Sequence, residues 1–318
     1  MPTAPSSWPA DGSKLDLADK KISGFFFRLL LPLPLECVLS VPGAFFGMPA
    51  FHSVAPATIA CALGGCREAP ETAMYAYAMC VCLLLAAWAY VQSSPSRVKT
   101  QAHLHTPPAL VLSPMLGVAL TRLIADAHAQ SAAYLYLVVW YSSILPVITF
   151  KSAAGRRRPL ASDAKHIGAE AVKAVGLKGL PNIPRMHATG DPNSAFPSGD
   201  VAGAVAFAFP LLRCTSSWSV TPASTWLLPA CGCTCVLLSA CGRMYYQAHH
   251  LLDVMCGALF AAGSGLLLET AFTGGLSSGD ACSPSRGWWE PFVALVSLAA
   301  YAKLTKVHKA VPAGQKVE

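Results

Sequence analysis

Arg243, His249 and Asp253 stand six and then four residues apart in the stretch GRMYYQAHHLLD. These residue types suit phosphoryl transfer: a cation for the phosphate oxygens, an imidazole to attack phosphorus, and a carboxylate to hold that imidazole in one tautomer. If Leu251 and Leu252 are helical, residues four apart share a face, so Asp253 can accept the Nδ1 proton of His249 and leave Nε2 as the nucleophile. His250 has Val254 at the same spacing, and a valine orients nothing. A carboxylate at the start of an apolar segment is costly without a partner, which marks Asp253 as a functional candidate.

Two earlier blocks carry complementary groups. Lys151, Arg156, Arg157 and Arg158 lie in KSAAGRRRP, and Ser198, Gly199 and Asp200 lie in PSGD. Arginine offers phosphate a planar fork of donors, Ser198 adds a hydroxyl, and Gly199 leaves backbone N–H groups approachable at an expected helix N-terminus. Taken singly, basic residues at the ends of apolar segments are well explained as topological charges. Their occurrence together with the other two blocks favours a phosphate cradle. Among the remaining histidines, His103, His105, His128 and His166 have no carboxylate at useful spacing and read as surface or interface residues. His187, ahead of PSGD, is a second candidate proton donor.

The elements that must position these groups are apolar. The chain has 318 residues, 54% of them hydrophobic and 12% charged, with a mean hydropathy of +0.47, too apolar for an ordinary soluble domain. Residues 73–91, 132–150, 225–240 and 251–268 each approach the roughly 20 residues that cross a hydrocarbon core. Residues 109–124 and 199–212 are shorter or broken by proline, and fit as spans inside a bundle. The fold class expected is therefore all-α, a polytopic membrane bundle with a six-helix core, rising to eight spans if 24–48 and 288–304 also cross. Arg28, Glu36 and three prolines suit 24–48 to the membrane interface, and the paired tryptophans Trp288 and Trp289 suit an interfacial belt. The organisation expected is a polar tail at 1–23, an interfacial or membrane segment plus loop at 24–72, a transmembrane catalytic core at 73–270, and a membrane-associated segment with a basic tail at 271–318. The polar start lacks a cleavable signal pattern, so insertion by the first true span is expected.

The net charge of +7 sits in the loops between apolar segments, where it flanks a bilayer or holds phosphate; nothing resembles a nucleic-acid interface. Most of the twelve cysteines lie in apolar stretches and act as small hydrophobes, and CGCTC lacks the spacing of a zinc site. Cys61 and Cys66, in a Gly-rich loop, are the pair expected to form a disulfide if that loop faces an oxidising compartment.

Lys151 with Arg158-Pro159, then PSG, then Arg243, His249 and Asp253 together resemble the three signature blocks of the type 2 phosphatidic acid phosphatase superfamily, which includes lipid phosphate phosphatases. The resemblance runs from Lys151 to Asp253. It implies a six-helix membrane core and dephosphorylation of a lipid phosphate through a phosphohistidine, with no metal or other cofactor. It makes His249 the nucleophile, Asp253 its orienting partner, and Lys151, Arg158, Ser198, Gly199 and Arg243 the phosphate cradle, while Arg156 and Arg157 fall outside the motif and only support the local field. Two departures stand out: Gly242 replaces a usual serine, and Asp200 replaces the histidine that protonates the leaving oxygen. Asp200 is accordingly the expected general acid, with His187 or water as the substitute. Transfer to a second lipid hydroxyl and a catalytically impaired scaffold are the alternative readings. The endoplasmic reticulum and the plasma membrane are both compatible with the sequence. Six spans with cytoplasmic tails turn the site to the lumen or exterior, whereas eight spans put Lys20 and Lys21 on its side and make that side cytoplasmic. Lipid species and oligomeric state are not legible in the sequence.

Overall fold

The computed structural model describes residues 9–29, 45–92, 107–125, 127–159, 195–214 and 222–273, except positions 11, 48, 65 and 68, with a few residues at 31–39, 295 and 299. His103, His105, His166, His187 and nearly all of the segment 288–304 lie outside the described residues.

Among these residues the structure is all-helical: α1 (Lys14–Arg28), a 3₁₀ turn (Pro49–Ser53), α2 (Ala55–Ala62), α3 (Glu71–Gln92), α4 (Pro107–Ile124), α5 (Ala127–Ala154), α6 (Gly199–Arg213), α7 (Pro222–Tyr245) and α8 (Leu251–Thr273). The expected helical membrane bundle is the fold observed. Among the described residues, three helices are long and apolar enough to cross a membrane, over Ala129–Lys151, Trp226–Tyr245 and Leu251–Glu269. The other expected core segments are also helical, though α6, with 15 residues, is too short to cross alone and is sheltered by α5, α7 and α8.

Helix α5 is the central post. It buries Tyr136, Trp140 and Tyr141, and its 28 residues extend about 42 Å at 1.5 Å per residue. Large apolar side chains such as Tyr75, Leu83, Leu116, Trp226, Leu237 and Leu267 remain exposed on the outer helices, as a lipid-facing surface requires. Close packing in such a bundle depends on small residues, and two glycines show why. A Cβ on Gly203 would lie 2.5 Å from the Phe46 carbonyl, and one on Gly257 would lie 2.2 Å from the Ser198 carbonyl.

Helix α1 runs across the domain boundary placed at residue 23. Ser13 caps it, accepting the Asp16 N–H at 3.2 Å. Asp16, Asp19, Ser23 and Phe27 recur at helical spacing and are all buried, while Leu15, Ile22 and Phe25 point outward. The acidic face of this helix is thus the inward one.

The two ends of the bundle differ. Cys61 and Cys66, the pair singled out in the Gly-rich loop, form a disulfide and pack beside Leu120 and Ala125 where α4 passes into α5. Cys214, just past the C-terminus of α6, is also disulfide-bonded. Lys151 at the end of α5, Ser198 at the start of α6 and Arg243 at the end of α7 mark the opposite end.

Candidate active site

The six-residue spacing from Arg243 to His249 has a backbone cause. Past the end of α7, Gln247 adopts a left-handed conformation (φ 57°), the Gln247 N–H bonds the Met244 carbonyl at 2.9 Å and the Ala248 N–H bonds the Arg243 carbonyl at 3.0 Å. This pair of bonds is a Schellman cap, which reverses the chain at a helix C-terminus. The residue after it, His249, comes back against Arg243, with Nη2 of the arginine 3.4 Å from Nε2 of the imidazole.

Helix α8 then begins at Leu251. His249 therefore precedes the helix, and the shared helical face expected for His249 and Asp253 is replaced by a capping arrangement. Asp253 sits in the first turn and accepts the His250 N–H at 2.8 Å, the backbone half of a capping box. The same oxygen, Oδ2, lies 3.7 Å from Nδ1 of His249 and 3.6 Å from Nδ1 of His250. Asp253 therefore reaches both rings, and position relative to the carboxylate does not by itself select between them. The opposite side of each ring does: Nε2 of His249 faces Arg243, while His250 lies edge-on to Phe27, with 6.0 Å between ring centroids.

The PSGD block is joined to this corner through the backbone. Ser198 donates its N–H to the Asp253 carbonyl at 2.9 Å and caps α6 by accepting the Val201 N–H at 3.5 Å. Its hydroxyl oxygen is thus engaged in the cap. The Lys151 ammonium lies 3.8 Å from where a Cβ on Gly199 would stand, so the glycine keeps the helix start open to that cation. Arg158 donates to the Ala248 carbonyl at 3.4 Å. Lys151, Arg158, Ser198, Gly199, Arg243, His249 and Asp253, drawn from three distant blocks, meet at one end of the bundle.

Asp200 meets them too. Its Oδ2 accepts from Arg243 Nη2 at 2.7 Å and stands 3.6 Å from His249 Nε2. Gly47 closes over the other oxygen so tightly that a Cβ there would fall 1.6 Å from Asp200 Oδ1.

The local field favours a neutral imidazole. Burial is the strongest influence on His249 and lowers its pKa; Asp200 and Asp253 raise it, Arg243 and Arg158 lower it again, and the net direction is down. A neutral ring whose Nδ1 faces a carboxylate presents Nε2 with its lone pair.

Arg156 departs from its expected supporting role. It is 4% exposed and bonds Asp253 Oδ1 through Nη1 at 2.5 Å, so it holds the orienting carboxylate directly. Its other nitrogen, Nη2, bonds Asp19 Oδ2 at 2.5 Å. Asp19 Oδ1 accepts the Leu252 N–H and Ser23 Oγ accepts the Leu251 N–H, each at 2.9 Å, so α1 satisfies the first backbone donors of α8. Asp19, Ser23, Gly47 and Gly257 were not anticipated; the one sequence signal was the helical spacing of Asp16, Asp19 and Ser23.

One end of an apolar helical bundle thus holds a buried imidazole facing a guanidinium, walled by further cations. Residues 131–273 match the family model of the PAP2 superfamily, and this match supports membership of that superfamily and phosphatase-type activity. The matched region runs from α5 to α8 and contains all three blocks. No curated protein and no solved structure matches the chain.

Proposed function

We propose that the protein is a membrane-embedded lipid phosphate phosphatase that works through a phosphohistidine. The observation that carries this reading is the placement of His249 Nε2, buried, 3.4 Å from Arg243 Nη2 and backed by Asp253. Phosphate entering beside Arg243, Lys151 and Arg158 meets fixed positive charge where equatorial oxygens gather charge in the transition state. Nε2 attacks phosphorus, the bond to the lipid oxygen breaks, and that oxygen takes a proton from Asp200. Water then attacks the phosphohistidine and gives a proton back to Asp200, the P–N bond breaks, and inorganic phosphate leaves. Asp200 suits the acid role once phosphate has claimed Arg243, because it then loses its counter-charge and faces an anion, both of which favour the protonated carboxyl.

The test is phosphate release from a panel of lipid phosphomonoesters and pyrophosphates in excess chelator, with His249→Ala as the blank. Release by the wild type and none by the variant supports the reading. A variant as active as the wild type on every substrate removes His249 as nucleophile, and a new labelled lipid in place of free phosphate indicates transfer to a lipid hydroxyl.

The site's orientation belongs to the same reading, and we place it on the reducing, cytoplasmic side. Disulfides persist where the environment is oxidising, and both Cys61–Cys66 and Cys214 lie at the end remote from Lys151. Lys14, Lys20 and Lys21 of α1 and exposed Arg157 lie at the Lys151 end, while Arg213 at the far end is neutralised by Glu269 at 2.8 Å. The positive-inside rule points the same way. The membrane compartment is the endoplasmic reticulum or the plasma membrane, and the substrate enters from the cytoplasmic leaflet.

A further inference from the structure

We infer that Asp19 of α1 is a positioning residue for phosphoryl transfer, acting on the nucleophile through Arg156 and Asp253. The inference rests on His249 being that nucleophile. A continuous buried line runs from Asp19 Oδ2 to Arg156 Nη2, from Arg156 Nη1 to Asp253 Oδ1, and from Asp253 Oδ2 toward His249 Nδ1, with separations of 2.5, 2.5 and 3.7 Å. Asp19, Arg156 and Asp253 are 5%, 4% and 0% exposed, and His249 is 0% exposed. Solvent therefore screens little of this line, and each charge depends on its neighbours.

The geometry divides the labour. Arg156 has two terminal nitrogens and Asp253 two oxygens. With Nη2 tied to Asp19, only Nη1 reaches Asp253, so Oδ2 is left for the His250 N–H and the histidine ring. Without the Asp19 charge, the guanidinium is free to turn both nitrogens onto Asp253, the bidentate pairing arginine favours. Oδ2 is then drawn away from His249, and the ring loses the group that fixes its tautomer. Asp16 stands farther from the same guanidinium, at 3.7 Å, and is already paired with Lys20 at 3.0 Å, so it does not take over. Asp19 also accepts the Leu252 N–H, which aligns the start of α8 with the line it anchors.

The full-length protein, purified in detergent, tests this with Asp19→Asn, Arg156→Gln, the double variant and Ser23→Ala. Asp19→Asn is expected to lower kcat by about tenfold to a hundredfold, with KM within about twofold of wild type and inorganic phosphate, as competitive product, bound as tightly as before. The double variant is expected to be no slower than Arg156→Gln alone, since both act through one route. Ser23→Ala removes the Leu251 cap and the 3.4 Å hydrogen bond to Asp19 Oδ1 but not the ion pair through Oδ2, and is expected to lower Tm while keeping kcat within about threefold of wild type. Full kcat in folded Asp19→Asn, or losses that simply multiply in the double variant, overturns the inference. Should Asp19→Asn fail to fold, Asp19→Glu retains the charge at a longer reach, and undiminished kcat with Arg156→Gln equally active overturns it as well. Activity surviving in His249→Ala is a separate result, which removes the nucleophile and leaves the Asp19 data to be read on their own.

Discussion

Arg156 and Asp253 form a buried ion pair, with Nη1 2.5 Å from Oδ1, although they lie on different helix ends and Arg156 is outside the spacing that draws attention to the site. The pair leaves the second carboxylate oxygen to serve the His250 N–H and the two imidazoles. Asp253 is therefore both a cap and an orienting group.

Asp253→Asn separates those roles. The amide oxygen can still accept the His250 N–H, but it carries no charge for Arg156 and no strong preference for the Nδ1–H tautomer of His249. Phosphate release is expected to fall by about 10³- to 10⁴-fold, the scale seen when a carboxylate orienting a histidine becomes an amide. Single-turnover phosphate release, with Tm recorded on the same preparation, makes the check. A variant within tenfold of wild type (about 1.4 kcal/mol) would leave Asp253 with a structural role alone.

Asp200 is tested by leaving group. A lipid alkoxide needs a proton as it departs, whereas an aryl oxide leaves without much help. Asp200→Asn is expected to slow alkyl phosphate hydrolysis by about 10²-fold and to spare p-nitrophenyl phosphate, while Asp200→His restores the alkyl rate at mildly acidic pH. Equal losses on both substrates would show that Asp200 serves binding, through its 2.7 Å contact with Arg243, and donates no proton.

The pH dependence follows from His249. Only the neutral ring attacks, and its pKa is lowered, chiefly by burial. The nucleophile's contribution is accordingly fully present above the ordinary histidine value of about 6.5 and is lost as pH falls through the lower pKa of the folded site. The acid limb of kcat/KM, which reports the free enzyme, is expected below that value. Arg158 contributes to the lowering, so Arg158→Gln is expected to raise the limb even as it weakens phosphate binding. A limb above the ordinary histidine value in the wild type contradicts the assignment.

The contrast between what could and could not be read in the chain is physical. Arg243, His249 and Asp253 were visible as a set because their spacing is local, and the apolar segments ended within a few residues of the helices because burial in lipid demands length and composition. The reason for the spacing was not visible. It lies in a left-handed Gln247 and a capped helix start, and glutamine is not the residue that announces such a turn. Arg156 and Asp19, 137 residues apart, were beyond reach for another reason: local pattern shows that α1 has an acidic face, but only tertiary packing supplies the arginine that neutralises it.

The orientation of the site is open to a direct measurement. One end of the bundle carries Cys61–Cys66 and Cys214, the other carries α1 with its lysines against the start of α8. Residues 1–13 contain no apolar run long enough to cross a bilayer, so an epitope tag at the N-terminus reports the side on which α1 lies. A second tag inserted after Arg67 reports the side of the disulfide loop. In cells whose plasma membrane alone is permeabilised, antibody is expected to reach the N-terminal tag. If the protein resides in the endoplasmic reticulum, the loop tag stays protected until all membranes are opened; if it resides in the plasma membrane, the loop tag is the one stained on intact cells. Protection of the N-terminal tag with cytoplasmic exposure of the loop tag would place the phosphate site on the oxidising side and the disulfides in a reducing environment. That result would overturn the orientation while leaving the chemistry of His249 untouched, because the geometry of Arg243, His249 and Asp253 is set by helix caps and does not depend on which compartment the helices open toward.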